Sequence, residues 1–527
     1  MRKGPNRREF VRATAVAGGV MGAHWLIGCG APTEPGGLDA LVVTDPDADA
    51  HTDSMDVAFD SGLPSPDDAL VDGGLPPERA DPDTPWWLQD NYGPVSEERL
   101  IDTFEVVGEI PPGLDGLYLR NGANPPGADS GHWFLGDGMV HGLRFVGGEA
   151  RWYRNRYIQT AARGGPGAGQ FAGHPANTSA VHYEGQLYAL AETGWPYTLS
   201  PEDLSTTSLA DFQGELTGPM TAHPKIDPVT GELIFFGYSW TAPYLRYSVL
   251  KPAGRIVHSE LIEIPNPTMH HDFAITATRT IFFDLPLVFD LDVVRAGGAV
   301  PYAWRPQLGA RIGVLPRKGR NADVQWIDIG PCFMFHTINA YDDPADPNRV
   351  IVEGCRMESF SFAPGEVGRR QSVSQPWRWT LDLSTGAVSE SLLDDRYMDF
   401  PRVDPRVVGR PHRYHYSVLL EGPERAESSS AVGVGARGLC RRDLMADTVD
   451  EYVYAPRYRT DEAVFVPASA QADEGEGWLM SYVYDRARDT SALSIVDAQA
   501  LSEGPRALIY LPHRVPHGFH GDWMPGL

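Results

Sequence analysis

The sequence predicts an all-β protein with a little helix, and three observations carry that reading. From about Val106 onward, short runs rich in β-branched and aromatic residues alternate with turn clusters. Gly and Pro are abundant, 56 and 45 of 527 residues, which favours many short elements joined by turns. Windows with strong helical periodicity are few. The clearest strand runs are Leu233 to Tyr238, Thr280 to Phe289, Arg349 to Met357, Trp377 to Leu383, Tyr414 to Leu420, Trp478 to Tyr484 and Ala507 to Leu511. Turn sequences such as Asp227-Pro228-Val229-Thr230-Gly231 separate them. Many short strands at near-regular spacing fit a sandwich, a barrel or a propeller, and the length favours a propeller or several sandwiches. No repeat is clear enough to count blades.

Ahead of this region the chain reads as an address and a tether. Asn6-Arg7-Arg8-Glu9-Phe10-Val11-Arg12 has the pattern of a twin-arginine export signal and is followed by an apolar run from Ala13 to Gly28, too short for a membrane span. The run ends at Leu26-Ile27-Gly28-Cys29, the pattern of a bacterial lipobox, which predicts cleavage before Cys29 and lipid on its thiol. Residues 1–29 are therefore expected to be a lipoprotein signal, with the mature protein exported and held to a membrane on its periplasmic or extracytoplasmic face. Residues 31–85 carry fourteen Asp and Glu against the single Arg79. So acidic a stretch, broken by Pro and Gly, buries too little apolar surface to offset its ordering entropy, and 30–85 reads as a disordered linker. Its Asp45, Asp47, Asp49, Asp53, Asp56 ladder lacks the Gly and the terminal Glu of a calcium loop. Composition changes abruptly at Trp86-Trp87-Leu88, and 86–527 reads as the globular domain.

The formal net charge of −26 argues against nucleic acid as a partner, because phosphate binding relies on clustered Lys and Arg. Beyond Cys29, only Cys332, Cys355 and Cys440 remain, too few for a disulfide framework, and no CxxC pair marks a zinc or thioredoxin-like site. The chemistry lies instead in four widely separated histidines. They are His223 in Thr221-Ala222-His223-Pro224-Lys225, His271 in Met269-His270-His271-Asp272-Phe273, His336 in Met334-Phe335-His336-Thr337-Ile338-Asn339-Ala340, and His520 in Gly518-Phe519-His520-Gly521-Asp522-Trp523. None forms a local motif, so a fold that gathers distant strands on one axis, as a propeller does, must bring them together. Neutral imidazole suits iron, copper or zinc, and four of them leave a divalent cation its full charge, which favours dioxygen at an open position. Context alone does not select these four from the 16 histidines, since His132, His141, His174 and His517 sit in equally tidy settings.

From about Leu88 to Trp523 the chain resembles the carotenoid cleavage oxygenases, non-haem iron proteins that include the retinal pigment epithelium isomerase and the lignostilbene dioxygenases. The resemblance rests on Tyr118-Leu119-Arg120-Asn121-Gly122 with Asn124-Pro125, on Gly136-Asp137-Gly138-Met139-Val140-His141, and on the four histidine settings in family order. It implies a seven-bladed β-propeller with a helix and loop dome over an axial metal site and an apolar substrate tunnel. It further implies that His223, His271, His336 and His520 ligate one Fe(II) per chain. Family members back their ligands with carboxylates that accept a hydrogen bond from the far ring nitrogen. By position these are Glu192, Glu462 and, where the family usually has Glu, Asp399, whose missing methylene calls for a backbone shift or a bridging water. His141 belongs to a family motif but not to its ligand set and is expected to be structural.

The implied reaction is oxidative cleavage of a conjugated C=C bond by dioxygen to two carbonyl products. No flavin, nicotinamide or haem motif appears, as suits a reaction whose electrons come from the alkene. The expected partners are O2, an apolar carotenoid or apocarotenoid, and a membrane touched through the lipid at Cys29 and by the dome surface. Cleavage of a stilbene-type phenolic alkene is the alternative. Family members with that activity place a Lys and a Tyr near the phenol, whereas no Lys occurs between Trp133 and Gln170, and Gln159 stands in the Arg154 to Thr160 segment. A lipid-anchored propeller that binds an apolar ligand without turnover is a third reading, and isomerisation without cleavage a fourth.

Overall fold

Seven antiparallel sheets follow one another along the chain as the blades of a β-propeller, in a computed structural model that describes residues 84–125, 131–362, 373–422 and 435–526. The second to sixth blades are four-stranded meanders, each starting at its innermost strand: Ser179–Tyr183, Lys225–Ile226, Ala274–Ile275, Phe333–Asp342 and Met398–Arg402. The first and seventh blades mix residues from both ends of the chain. Gly521–Pro525 lies against Gly116–Asn124 as the innermost strand of the first blade, while Glu105–Gly108 pairs with Pro505–Tyr510 at the outer edge of the seventh. The innermost strand of that seventh blade is Val464–Pro467.

Burial along each strand follows its depth. Leu233–Tyr238 is buried at every position, whereas Arg255–Ile262, at the outer edge of the same blade, alternates exposed with partly buried residues. A strand covered on both faces reads as a continuous apolar run, and one covered on a single face alternates with period two. The largest apolar cluster joins the third, fourth and fifth blades around Phe236, Phe282, Phe333 and Trp379.

One expectation needs correction. The run Thr280 to Phe289 is two strands, Arg279–Asp284 and Leu287–Phe289. Pro286 separates them, because it has no N–H to donate and restrains the residue before it. The second piece leaves the blade to form a hairpin with Tyr302–Trp304, which encloses the α-helix Leu291–Arg295, capped by Asp290 accepting from Asp292 N–H at 2.9 Å. Among the described residues this five-residue piece is the only α-helix, beside several 3-10 turns. Cys332, Cys355 and Cys440 are buried free thiols. The twin-arginine motif, Cys29 and the acidic stretch through Asp83, with its Asp ladder, lie outside the described residues.

Candidate metal centre

Six of the seven innermost strands deliver one predicted site residue each, at or just before their start. His520 immediately precedes Gly521–Pro525, His223 and His271 lead into Lys225–Ile226 and Ala274–Ile275, and Glu462 leads into Val464–Pro467. His336 and Asp399 lie within Phe333–Asp342 and Met398–Arg402. Glu192 comes from the turn between Gln186–Leu190 and Tyr197–Leu199 of the second blade. The propeller thus turns a sequence separation of about three hundred residues into one ring of side chains.

The four imidazoles converge through Nε2. Separations are 3.0 Å from His223 to His271, 3.3 Å from His271 to His336 and 3.2 Å from His336 to His520, and the four nitrogens lie within 4.8 Å of one another. Three of the rings turn Nδ1 to a carboxylate: His336 to Asp399 at 2.7 Å, His520 to Glu462 at 2.8 Å, and His271 to Glu192 in close contact. A neutral ring that gives its Nδ1 hydrogen to a carboxylate carries its lone pair on Nε2. Lone pairs facing one another at such distances repel unless a cation lies among them. The spacings match the edges expected when metal–nitrogen bonds of about 2.1 Å meet near right angles. The donor set therefore fits a divalent transition metal, with all-nitrogen ligation that suits iron. Burial, then the neighbouring imidazoles and Lys225, hold His223 well below the usual histidine range, and burial brings His520 down to about 4.

Each carboxylate is held differently. Glu462 accepts from Gly521 N–H at 2.8 Å and from Arg402 on both oxygens, at 3.0 and 2.9 Å. Burial pushes its carboxyl up, but Arg402 and His520 outweigh this and bring it to about 2. Asp399 accepts from Phe400 N–H at 2.7 Å and from the Ser374 hydroxyl at 2.9 Å. Its shorter side chain reaches His336 directly, without a bridging water, on a stretch of strand whose register slips between Asp399 and Arg402 and where Phe400 adopts φ 49°. That left-handed conformation is disfavoured for a side chain with a Cβ, and it falls on the residue directly after the one that meets His336. Glu192 receives the Tyr238 hydroxyl.

Residues not anticipated as part of the site tie the ligands together from below. Lys225, two residues after His223, pairs at 2.7 Å with Asp272, next to His271, and Asp272 accepts from the amide and hydroxyl of Thr337, next to His336. Their adjacency to ligands was the available signal. Arg402 lies three residues after Asp399, but nothing local aims it at Glu462, and Tyr238 gave no local signal at all.

The remaining motif residues serve the frame. Arg120 is buried against Asp461, the Pro516 carbonyl and the Tyr482 ring, while Asn121 exchanges backbone hydrogen bonds with His520 and Phe519 at 3.0 and 2.9 Å. Gly122 is required by proximity, because a Cβ there would lie 2.6 Å from the Gly518 Cα. The Tyr118 to Gly122 motif is thus the cradle for the segment carrying His520. His141 bonds the Tyr153 hydroxyl at 2.8 Å, His517 faces Asp461 at 2.8 Å, His174 joins the Trp195 carbonyl to the Ala176 amide, and the His132 ring accepts from Phe134 N–H. None of these four rings reaches the cage.

Hydrocarbon rings pack against the ligands. Phe335 lies 4.9 Å from the His271 ring and Phe400 4.8 Å from that of His336. From Phe335 the aromatic file continues through Phe360 at 4.9 Å, Phe362 at 4.7 Å and Phe134 at 5.8 Å, and returns through Phe519 at 5.5 Å. Such a wall excludes water and offers an extended apolar molecule ring faces and edges in place of hydrogen bonds.

With this geometry in hand, comparison with known proteins is informative. The family model described as retinal pigment epithelial membrane protein matches residues 92–525. A carotenoid cleavage oxygenase of Mycobacterium tuberculosis is 36% identical over 499 residues, 83% of this chain and 97% of its own. A carotenoid 9,10(9',10')-cleavage dioxygenase 1 of Arabidopsis thaliana is 32% identical, covering 82% of this chain and 89% of its own, and a resveratrol cleavage oxygenase 1 of Aspergillus fumigatus is 32% identical, covering 82% and 94%. Among solved structures, the lignostilbene dioxygenase of Pseudomonas brassicacearum superposes with a TM-score of 0.75 at 29% identity, over 84% of this chain and 99% of that one. Cobalt-substituted Synechocystis ACO gives 0.73 at 26%, over 82% and 97%.

Proposed function

The chain belongs to the carotenoid cleavage oxygenase family, that of the retinal pigment epithelial membrane protein, and on that premise we propose that it is a non-haem Fe(II) dioxygenase cleaving a conjugated C=C bond of a carotenoid or apocarotenoid to two carbonyl products. The convergence of four Nε2 atoms, three backed by carboxylates, carries the reading. Bound iron would supply dioxygen activation. The protein's own part is to fix four neutral donors, leave the metal its charge, and keep the approach dry. Glu192, Asp399 and Glu462 orient three rings and raise their basicity through Nδ1. Phe335, Phe400 and the ring file beyond them press on a long apolar substrate and exclude water.

The phenolic-alkene reading stays in view because the superposition on a lignostilbene dioxygenase is as close as that on any apocarotenoid oxygenase named above. Against it, the rings nearest the cage carry no hydroxyl, and Lys225, the lysine closest in sequence to a ligand, is committed to Asp272. At the N-terminus, we read Cys29 as the lipid attachment point of an exported protein and residues 30–85 as the tether that lets the propeller reach polyenes in the bilayer.

The test is to purify the protein without its signal, measure bound iron, and incubate it aerobically with apocarotenals and with hydroxystilbenes, reading products by mass spectrometry. Iron near one per chain and aldehydes from the polyene are expected. Absence of iron defeats the metal assignment, and cleavage of stilbenes alone reverses the order of substrates.

A further inference from the structure

Glu192 stands apart from the other two carboxylates in what restrains it. Arg402 and a backbone amide hold Glu462, and a backbone amide and Ser374 hold Asp399. Among the described residues, Glu192 has only Tyr238 besides His271, the phenol donating to one oxygen while His271 Nδ1 meets the other. Tyr238 ends the strand Leu233–Tyr238 and is 8% exposed. Tyr302 packs against the same apolar cluster as Tyr238, and the charge of Glu192 adds to burial in raising its hydroxyl. Tyr302 in turn opens the outer strand of the hairpin whose other strand begins at Leu287. The Leu287 carbonyl accepts at 2.8 Å from Met269 N–H, two residues before His271, and Phe289 N–H donates to the Pro267 carbonyl at 2.9 Å. One hairpin therefore grips the backbone leading into His271 at two points, and it sets Tyr302 against the cluster that holds Tyr238.

We propose that Tyr238, with Tyr302 behind it, is the positioning residue that keeps Glu192 turned to His271 Nδ1, so that this hairpin governs metal retention at that corner. A neutral phenol suits the task. It fixes the carboxylate rotamer by one strong hydrogen bond while leaving the negative charge free for the imidazole, whereas a cation would draw part of it away. Without the phenol, the partly exposed Glu192 would exchange the contact with His271 for water. The inference rests on the metal reading above, but not on any substrate.

The experiment uses protein loaded with Co2+ and follows chelator-driven metal loss together with the visible ligand-field spectrum. Tyr238→Phe is expected to release metal about tenfold faster, with a shifted spectrum and an unchanged melting temperature. Tyr302→Phe should act in the same direction by less. Placed in a Glu192→Gln background, Tyr238→Phe should add nothing, because its path to the metal is already cut. Release from Tyr238→Phe at the wild-type rate, or effects that multiply in the double variant, would overturn the proposal. Wild-type protein that binds no metal defeats it together with the metal reading, whereas metal retained as expected without cleavage of any alkene upholds it and defeats the enzymatic reading alone.

Discussion

The histidines of the axis and those of the outer frame are the same side chain in two employments. On the axis, His271, His336 and His520 turn Nδ1 outward to carboxylates and Nε2 inward to a common point. In the frame, His141, His174 and His517 spend their hydrogen bonds on a phenol, on backbone groups and on Asp461, and their remaining nitrogens share no focus. Burial does not separate the groups, since His174 and His141 are as enclosed as His336 and His520. What separates them is the destination of the second nitrogen. A buried imidazole with a carboxylate behind it and free space ahead is a metal donor, whereas one satisfied by the chain around it is a fastener.

Three perturbations test that division. Replacing an axial ring has the largest effect: His336→Ala should lower metal affinity by more than about a hundredfold, beyond the loss expected for an outer partner alone, and abolish turnover, while the β-rich circular dichroism persists. Full activity would remove His336 from the cage. A frame ring should behave in the opposite way. His174→Leu deprives the Trp195 carbonyl and the Ala176 amide of their partner, so it should lower stability by about 2–4 kcal/mol in chemical denaturation. Its metal content per folded molecule should not change, and a loss of metal would break the division.

The third test uses acid. Burial lowers His174 and His415 to about 4 from an ordinary value of 6.5. A histidine depressed in the folded state is neutral there while the unfolded chain takes up a proton, so its stability contribution is complete above pH 6.5 and is lost as pH falls toward 4. Each such site is worth about 3 kcal/mol over that window. His415 is fully buried, and among the described residues neither ring nitrogen finds a hydrogen-bond partner. His415→Met should therefore leave stability at neutral pH within about 1 kcal/mol and flatten the decline between pH 6.5 and 4, followed by thermal unfolding at a series of pH values. An unaltered slope would show that this ring takes no part in acid unfolding.

How much of this was legible in the sequence depended on range. Strand runs such as Leu233–Tyr238 and Arg349–Met357 stand where local pattern puts them, because continuous apolar or alternating runs report burial directly. The break at Pro286 was legible in principle and was read through, since the apolar pattern continues across it. Composition and spacing indicated β-structure but not the number of blades, which came from the family motifs. The histidine settings and the carboxylates were found the same way. Geometry adds that Asp399 meets His336 directly, beside a slipped register and a left-handed Phe400, backbone conformation that no residue identity announces. Arg402 and Tyr238 were invisible for a related reason. Each acts on a carboxylate presented by another blade, so their partners exist only once the ring has closed.

That closure gives the C-terminus an unusual burden. His520 stands at the head of the strand that completes the first blade, so one segment both latches the ring and carries the fourth imidazole. Metal binding is thereby tied to closure of the ring, and a chain whose last strand comes away from Gly116–Asn124 loses the fourth imidazole together with the latch.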